Sequence, residues 1–121
     1  MNIAVIGSRE GFTKEQVKKV IYKHFDLEQD RLITGGARGV DTFAEKVIEE
    51  DNSFFKSPLV IYPINPSNKL DYLFRNVEIV TLADKIIAFW NKESKGTKFV
   101  IDYAKARNKD IEIIKEAQKW E

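Results

Sequence analysis

Short apolar runs alternate with amphipathic stretches along the whole chain. The runs are rich in β-branched and aromatic residues and predict five strands, at residues 3–6, 32–34, 59–62, 86–90 and 111–114. Several are apolar at every position rather than at alternate ones, which is typical of strands covered on both faces. Between the strands, apolar residues recur at intervals of three and four, and this spacing predicts four helices.

Two of the helical segments carry start signals. Thr13 and Gln16 have the spacing of a capping box. Asn68 is a candidate cap for the third helix, and the fourth is predicted over residues 97–107. The positions expected to face the core are Val17, Val20, Ile21 and Phe25 in the first helix, Phe43, Ala44, Val47 and Ile48 in the second, and Leu70, Leu73, Phe74 and Val77 in the third.

Strands and helices that alternate in this way predict an α/β fold. We expect one Rossmann-like domain over residues 1–121, with an open, mainly parallel sheet of about five strands and helices on both faces. Ligands of such sheets bind outside the carboxyl ends of the strands, near the point where the strand order reverses. The loops after strands one, two and four are therefore expected to meet at a binding site.

The loop after strand two is rich in glycine. Gly35, Gly36, Ala37, Arg38 and Gly39 lead directly into a helix, so the backbone can turn sharply and direct free N–H groups at an anion. Arg38 adds a planar set of donors suited to phosphate, and Asp41 could cap the helix, hold Arg38 or bind a ribose hydroxyl. Neither common nucleotide motif fits, since G-x-G-x-x-G lacks its first glycine and no Gly-Lys-Ser/Thr of a P-loop follows.

Two further loops carry candidate anion donors. Gly7, Ser8 and Arg9 follow strand one. Trp90 ends strand four, where it could stack on a base or simply pack in the core or an interface. After it, Gly96 and Thr97 would open the fourth helix as a second anion site. The polar residues of this last loop are Asn91, Lys92, Glu93 and Ser94.

Composition narrows the choice of chemistry. The chain has 20 Lys and Arg against 19 Asp and Glu, so a strongly basic nucleic-acid surface is not expected, although a local basic patch is compatible with this balance. It has no cysteine and one histidine, which excludes disulfides and Cys- or His-rich metal sites. No metal site is predicted, and carboxylate-bound Mg²⁺ is the one metal option left open. Without an apolar run of about 20 residues or a signal-peptide pattern, we expect a cytoplasmic protein that does not enter a membrane.

Four motifs occur in one order along nearly the whole chain: Gly7-Ser8-Arg9, residues 35–41, Arg75-Asn76, and Ser94-Lys95-Gly96-Thr97 followed by Ile101-Asp102-Tyr103-Ala104. This order resembles the SLOG superfamily, and within it the small YspA-related proteins. The resemblance implies a Rossmann-like fold that binds nucleotides or molecules derived from them. Relatives include cytokinin-activating phosphoribohydrolases of the LOG type, sensors of ADP-ribose-type signals in antiphage defence, and the DNA-processing protein DprA.

The main expectation is therefore a protein that senses or sequesters a nucleotide or ADP-ribose-derived ligand and requires no cofactor. The residues expected to bind its phosphates and base are Gly7, Ser8, Arg9, Gly35, Gly36, Ala37, Arg38, Gly39, Asp41, Arg75, Asn76, Trp90, Asn91, Lys92, Ser94, Gly96 and Thr97.

Two alternatives and one further expectation stand beside it. A LOG-type N-glycosidase would need an acid, for which Asp41, Asp71 and Glu93 are weak candidates, because Phe99 and Val100 replace the acidic residues of those enzymes. Single-stranded DNA binding of the DprA type is less expected, given the near-neutral charge. A homo-oligomer is also expected, since relatives often pair; apolar contact could come from Phe54, Phe55 and Trp120.

Overall fold

A computed structural model describes residues 1–115, over which five strands alternate with four helices. Trp120, one of the residues expected at an oligomer contact, lies outside the described residues. The elements are β1 (Asn2–Gly7), α1 (Lys14–His24), β2 (Arg31–Thr34), α2 (Val40–Glu49), β3 (Leu59–Val60), α3 (Lys69–Leu82), β4 (Lys85–Trp90), α4 (Lys95–Ala106) and β5 (Asp110–Lys115).

The strands form one parallel sheet in the order β3-β2-β1-β4-β5. From the central β1 the chain moves outward through β2 to β3, then crosses over and continues on the other side with β4 and β5. The strand order therefore reverses between β1 and β4. This confirms the predicted open parallel sheet and locates the point where such sheets bind ligands.

Alternate residues of the central strands face opposite layers. Ile3 and Val5 of β1 pack with α1 and α2, and Ile87 and Phe89 of β4 join them there. The residues between them, such as Ala4 and Ile6, pack with α3 and α4. Burial of each aliphatic side chain contributes about 1.5–3 kcal/mol to the free energy of unfolding. The two layers place the sheet between two pairs of helices, as predicted. No helix within residues 1–115 is long and apolar enough to cross a membrane.

The start of α1 is fixed by the predicted capping box. The Oγ1 of Thr13 accepts from the N–H of Gln16 at 3.2 Å, and the Oε1 of Gln16 accepts from the N–H of Thr13 at 2.7 Å. We expect Thr13→Ala to lower the free energy of unfolding by about 1 kcal/mol, because the helix loses an acceptor for an unpaired N–H. Urea denaturation would measure this, with Thr13→Ser as control; an equal loss in Thr13→Ser would show that the methyl group matters instead of the hydroxyl.

The predicted core face of α3 is wrong. Leu70 and Phe74 are 57% and 64% exposed, and Leu73 is 38% exposed. The buried face carries Arg75 and Asn76 near the middle of the helix and an apolar set after them, Ile79, Val80 and Ala83. The helix thus has two apolar stripes, and spacing alone could not tell which one meets the sheet.

Two smaller differences concern the approach to β3 and the strand itself. Of the two phenylalanines suggested for an oligomer contact, Phe54 packs against the core beside Phe25, with ring centroids 6.4 Å apart, whereas Phe55 is 75% exposed. β3 ends at Val60 instead of residue 62. The N–H of Ile61 still donates to Thr34, but Pro63 has no N–H to continue the ladder.

Candidate functional site

The loops after β1, β2 and β4 meet above the reversal point, around two adjoining cavities. The inner lobe, about 320 Å³, lies between the end of β1, α3 and the start of α4. The outer lobe, about 340 Å³, lies between the glycine turn and residues 62–66. Arg9, Ala37, Tyr72 and Arg75 line both lobes, so the two lie side by side along this edge of the sheet and are together called the groove.

Asp41 lies at the base of the inner lobe and is 4% exposed. Its Oδ1 accepts from the N–H of Gly7 at 3.1 Å, and its Oδ2 accepts from Gly35 at 3.1 Å and Ala37 at 3.3 Å. Burial raises the pKa of Asp41 to about 6, while these N–H groups and the charge of Arg75 act in the opposite direction. The carboxylate therefore ties the ends of β1 and β2 together.

Arg75 is 9% exposed and holds the glycine turn from the side of α3. Its Nη1 donates to the carbonyls of Gly35 and Ile61, and its Nε donates to the Oδ1 of Asn76 at 2.8 Å. The guanidinium lies over the ring of Tyr72, 5.4 Å from its centroid. Burial lowers the pKa of Arg75, and the nearby Asp41 carboxylate opposes that shift. Among residues 1–115, Nη2 makes no hydrogen bond, so this arginine keeps a donor for a ligand.

The glycines of the turn are required by the contacts between loops. Gly36 has φ +73°, and a Cβ there would collide with the ring of Tyr62. Gly39 has φ +84°, and its Cβ would lie 2.5 Å from the carbonyl oxygen of Arg9. A Cβ on Gly35 would lie 2.6 Å from Nη1 of Arg75. Three glycines of the turn are therefore in close contact with Tyr62, Arg9 and Arg75, which the sequence pattern did not reveal.

The start of α2 is less open to an anion than predicted. The N–H of Val40 points to the carbonyl of Ser8 at 3.4 Å, and those of Thr42 and Phe43 donate to carbonyls of the turn itself at 3.1 and 2.9 Å. Much of the expected donor set at this helix is thus already used within the protein.

The start of α4 is more open. The Ser94 hydroxyl accepts from the N–H of Thr97 at 3.3 Å and lies 3.0 Å from its Oγ1. A Cβ on Gly96 would meet nothing within 4 Å, so the backbone here borders free space in the inner lobe. The positive end of the helix dipole adds to the attraction of this position for an anion.

Several other predicted site residues lie outside both lobes, and two of them hold parts of the scaffold together. Ser8 is buried, and its Oγ accepts from the N–H of Asn91 at 3.0 Å, which joins the loops after β1 and β4. Trp90 packs in the layer of α3 and α4, and its Nε1 donates to the carbonyl of Ser94 at 3.1 Å. Lys92 and Glu93 are exposed and line neither lobe.

Arg38 lies at the rim of the outer lobe, where its Nη2 is 3.5 Å from Glu10. Of the candidate acids, Asp41 alone lines a lobe of the groove; Asp71 accepts from the N–H of Asn65 at 3.0 Å. Within the part of the chain that the structure describes, no group of three or more His, Asp or Glu side chains could hold a metal ion.

Sequence reasoning missed the aromatic part of the groove. Tyr62 is 62% exposed and forms the outer wall with Pro63 and Pro66, while Tyr72 stands between the lobes. One signal was present: Tyr72 precedes Arg75 by three residues, so both lie on one face of a helix. No comparable pattern marks Tyr62, because its position depends on where the chain leaves the sheet after β3.

The fold resembles two solved structures. DNA processing protein A (DprA) from Streptococcus pneumoniae superposes with a TM-score of 0.76 and 19% identity over 93% of this chain and 49% of that one. DNA processing protein A from Helicobacter pylori, described for its single-stranded DNA binding mode, gives a TM-score of 0.73 and 18% identity over 98% of this chain and 66% of that one. No protein-family model and no curated protein matches the sequence. The chain thus shares the Rossmann-like fold of these proteins and spans about half to two thirds of their length.

Proposed function

We propose that this protein binds single-stranded nucleic acid along the groove. The observation that carries the proposal is the set of cationic and aromatic side chains along the two neighbouring lobes, three arginines and two tyrosines: Arg9, Arg38, Arg75, Tyr62 and Tyr72. Single strands are held by cationic tracks along the backbone and by aromatic rings on which bases stack. The likeness in fold to a protein described for single-stranded DNA binding supports this alternative over a free nucleotide.

Each group has a distinct part in the proposed complex. Arg9 is exposed and borders both lobes, so it can contact the phosphate between two nucleotides. The exposed contact between Arg38 and Glu10 is worth at most about 1 kcal/mol, and a phosphate could displace the carboxylate at little cost. Tyr62 offers an exposed ring for a base, and the start of α4 offers N–H groups for a further phosphate.

The test is fluorescence anisotropy with a labelled oligothymidylate of about 12 nucleotides, within the range of roughly 4–16 nucleotides that a single OB-fold domain covers. We expect Arg9→Ala and Tyr62→Ala each to weaken binding about tenfold, since a charged hydrogen bond or a stacked base is worth more than about 1 kcal/mol. Arg31 is exposed and lies at the start of β2, at the opposite end of the strands from the groove. Arg31→Ala is therefore the matched control and should bind normally.

Salt dependence gives a second readout of the same complex. Contacts to two or three phosphates predict a slope of roughly −1.4 to −2 in log affinity against log salt concentration. Absence of binding at low salt, or equal losses in Arg31→Ala and Arg9→Ala, would contradict the proposal.

A nucleotide or ADP-ribose-derived ligand is the second candidate, and the inner lobe favours it. A volume of about 320 Å³ lies at the lower end of the range for small-ligand pockets. Asn76 and Thr97, both buried, line this lobe beside Asp41.

Calorimetry with AMP and ADP-ribose distinguishes the candidates: binding of either molecule without oligonucleotide binding favours the small ligand. Release of free base from AMP, lost in Asp41→Asn, would indicate the N-glycosidase instead. We also propose that the chain is a member of the SLOG superfamily. Residues from each of its four motifs lie around the groove, which supports this assignment.

A further inference from the structure

A ladder of three flat side chains, Phe99, Tyr103 and Arg107, runs along α4 and away from the groove. The rings of Phe99 and Tyr103 are nearly parallel, with an interplanar angle of 9° and centroids 5.8 Å apart. The guanidinium of Arg107 lies 5.9 Å from the centroid of the Tyr103 ring and ends the ladder. The three residues follow one another at intervals of four, so they lie on one side of the helix. None of them lines either lobe of the groove.

The ladder begins beside the inner lobe. Gly96 lines that lobe and precedes Phe99 by three residues, so it lies one turn before Phe99 on the same side of α4. Tyr103 lies one turn after Phe99, so the opposite face of the Phe99 ring is directed toward the groove. Among residues 1–115, no ring or cation other than Tyr103 stacks on Phe99, and a Cβ on Gly96 would meet nothing within 4 Å. An aromatic face is thus available to a planar group that leaves the inner lobe.

Positive charge is concentrated on the same helix. Residues 95–109 carry five basic side chains and one acidic side chain, a net charge of +4 in a chain whose total is +1. Lys95, Lys105 and Arg107 are exposed and make no ion pair within residues 1–115. Lys95 begins α4 and Arg107 follows its last residue, so the two backbones are about 18 Å apart along the helix axis. Exposed cations beside a flat aromatic face are the groups that hold a single-stranded nucleic acid, whereas an acidic peptide would need the cations alone.

We propose that a single strand bound in the groove continues along α4, with the base next to the inner lobe stacked on Phe99 and the following phosphates beside the exposed cations. This extension rests on the function proposed for the groove and makes its partner more specific. A free nucleotide held in the inner lobe would have no contact for Tyr103 or Arg107 to reinforce. The ladder therefore favours a strand that is longer than the two lobes alone can hold.

Fluorescence anisotropy with labelled oligothymidylates of about 4 and about 12 nucleotides tests the extension. Phe99→Leu keeps an apolar side chain but removes the flat ring, so it should weaken binding of the longer strand about five- to tenfold, the loss of one stacked base. Binding of the shorter strand, which depends on the two lobes, should stay within about twofold of the wild type. Phe55→Leu is the matched control: this ring is 75% exposed but lies in the loop before β3, and its loss should change binding of neither strand.

Salt dependence tests the charges on the helix separately. Arg107→Ala should reduce the slope of log affinity against log salt concentration by about 0.7 for the longer strand, the contribution of one phosphate. The slope for the shorter strand should not change. Arg31→Ala removes another exposed arginine, at the start of β2, and should change neither slope.

The outcomes separate the extension from the function proposed for the groove. If both strands bind and neither Phe99→Leu nor Arg107→Ala weakens the longer one, the extension is overturned and the groove remains the binding site. Equal losses for both strands in Phe99→Leu would also overturn it, because the ring would then support the groove or the fold. If neither strand binds the wild type at low salt, the function proposed for the groove fails, and the extension fails with it.

Discussion

Replacing Asp41 with alanine is expected to lower the free energy of unfolding by about 3 kcal/mol or more. The carboxylate accepts from the backbone N–H groups of Gly7, Gly35 and Ala37 in a site that is 4% exposed. Its removal leaves three donors without an acceptor, and each buried unpaired group costs about 1–3 kcal/mol. Water entering from the inner lobe would offset part of that cost. The expected loss therefore lies near the lower end of the sum for the three groups.

Urea denaturation at neutral pH measures this loss. Asp71→Ala is the matched control, because that carboxylate, in the first turn of α3, also accepts from a backbone N–H, but one at the exposed residue Asn65, at 3.0 Å. We expect the control to cost about 1 kcal/mol or less. Similar losses in both variants would mean that burial of the Asp41 contacts adds nothing.

Asp41 should also make stability depend on pH. Burial raises its pKa from 3.8 to about 6, so the folded state binds the proton more tightly than the unfolded state. The proton therefore adds about 3 kcal/mol to the free energy of unfolding; this increment is complete below pH 4 and disappears as the pH rises through about 6, whereas the ionised carboxylate keeps its three N–H contacts. Asp41→Asn cannot titrate. The stability advantage of the wild type over this variant should therefore shrink between pH 4 and pH 7, and parallel pH profiles would contradict the shifted pKa.

Gly39→Ala is expected to destabilise the fold by about 3 kcal/mol. Its φ of +84° belongs to a region that side chains rarely adopt, and such strain costs about 1–3 kcal/mol. The added Cβ would also lie 2.5 Å from the carbonyl oxygen of Arg9, so the loop after β1 would have to move. Thermal and urea unfolding would both report the loss.

Gly96→Ala provides a control of opposite sign. A Cβ at Gly96 meets nothing within 4 Å, and the residue lies inside α4. Alanine there should stabilise the protein by about 0.4–1 kcal/mol, since it restricts the unfolded chain without strain. If both glycine variants changed stability alike, the close contact at Gly39 would not be the cause.

The periodicity of the sequence was sufficient to predict the sheet. Strands that are apolar at every position, such as residues 3–6, need cover on both faces, and the alternation with helices leaves few arrangements that supply it. The caps at Thr13 and Asn68 were predictable because they depend on side chains close in sequence. The meeting of three loops at the reversal point followed from the parallel direction of the strands.

Features that depend on contacts distant in sequence were not predictable. α3 has two apolar stripes, and which one is buried depends on how Ile79 and Val80 meet the sheet. The sequence suggested that the glycines of the turn approach a ligand, whereas Gly36 and Gly39 make room for Tyr62 and Arg9. Tyr62 itself reaches the groove only because β3 ends after two residues.

The packing of the glycine turn has a consequence for the evolution of such proteins. Gly36, Gly39 and Asp41 are needed to hold three loops together whether or not the groove is occupied. A lineage that exchanged one ligand for another, or lost its ligand, would be selected to keep these residues for stability alone. A sequence motif built on them therefore identifies the scaffold of the loops and not the ligand. The divergence that sets the ligand is expected instead at Arg9, Tyr62 and the start of α4, where the side chains bear less of the fold.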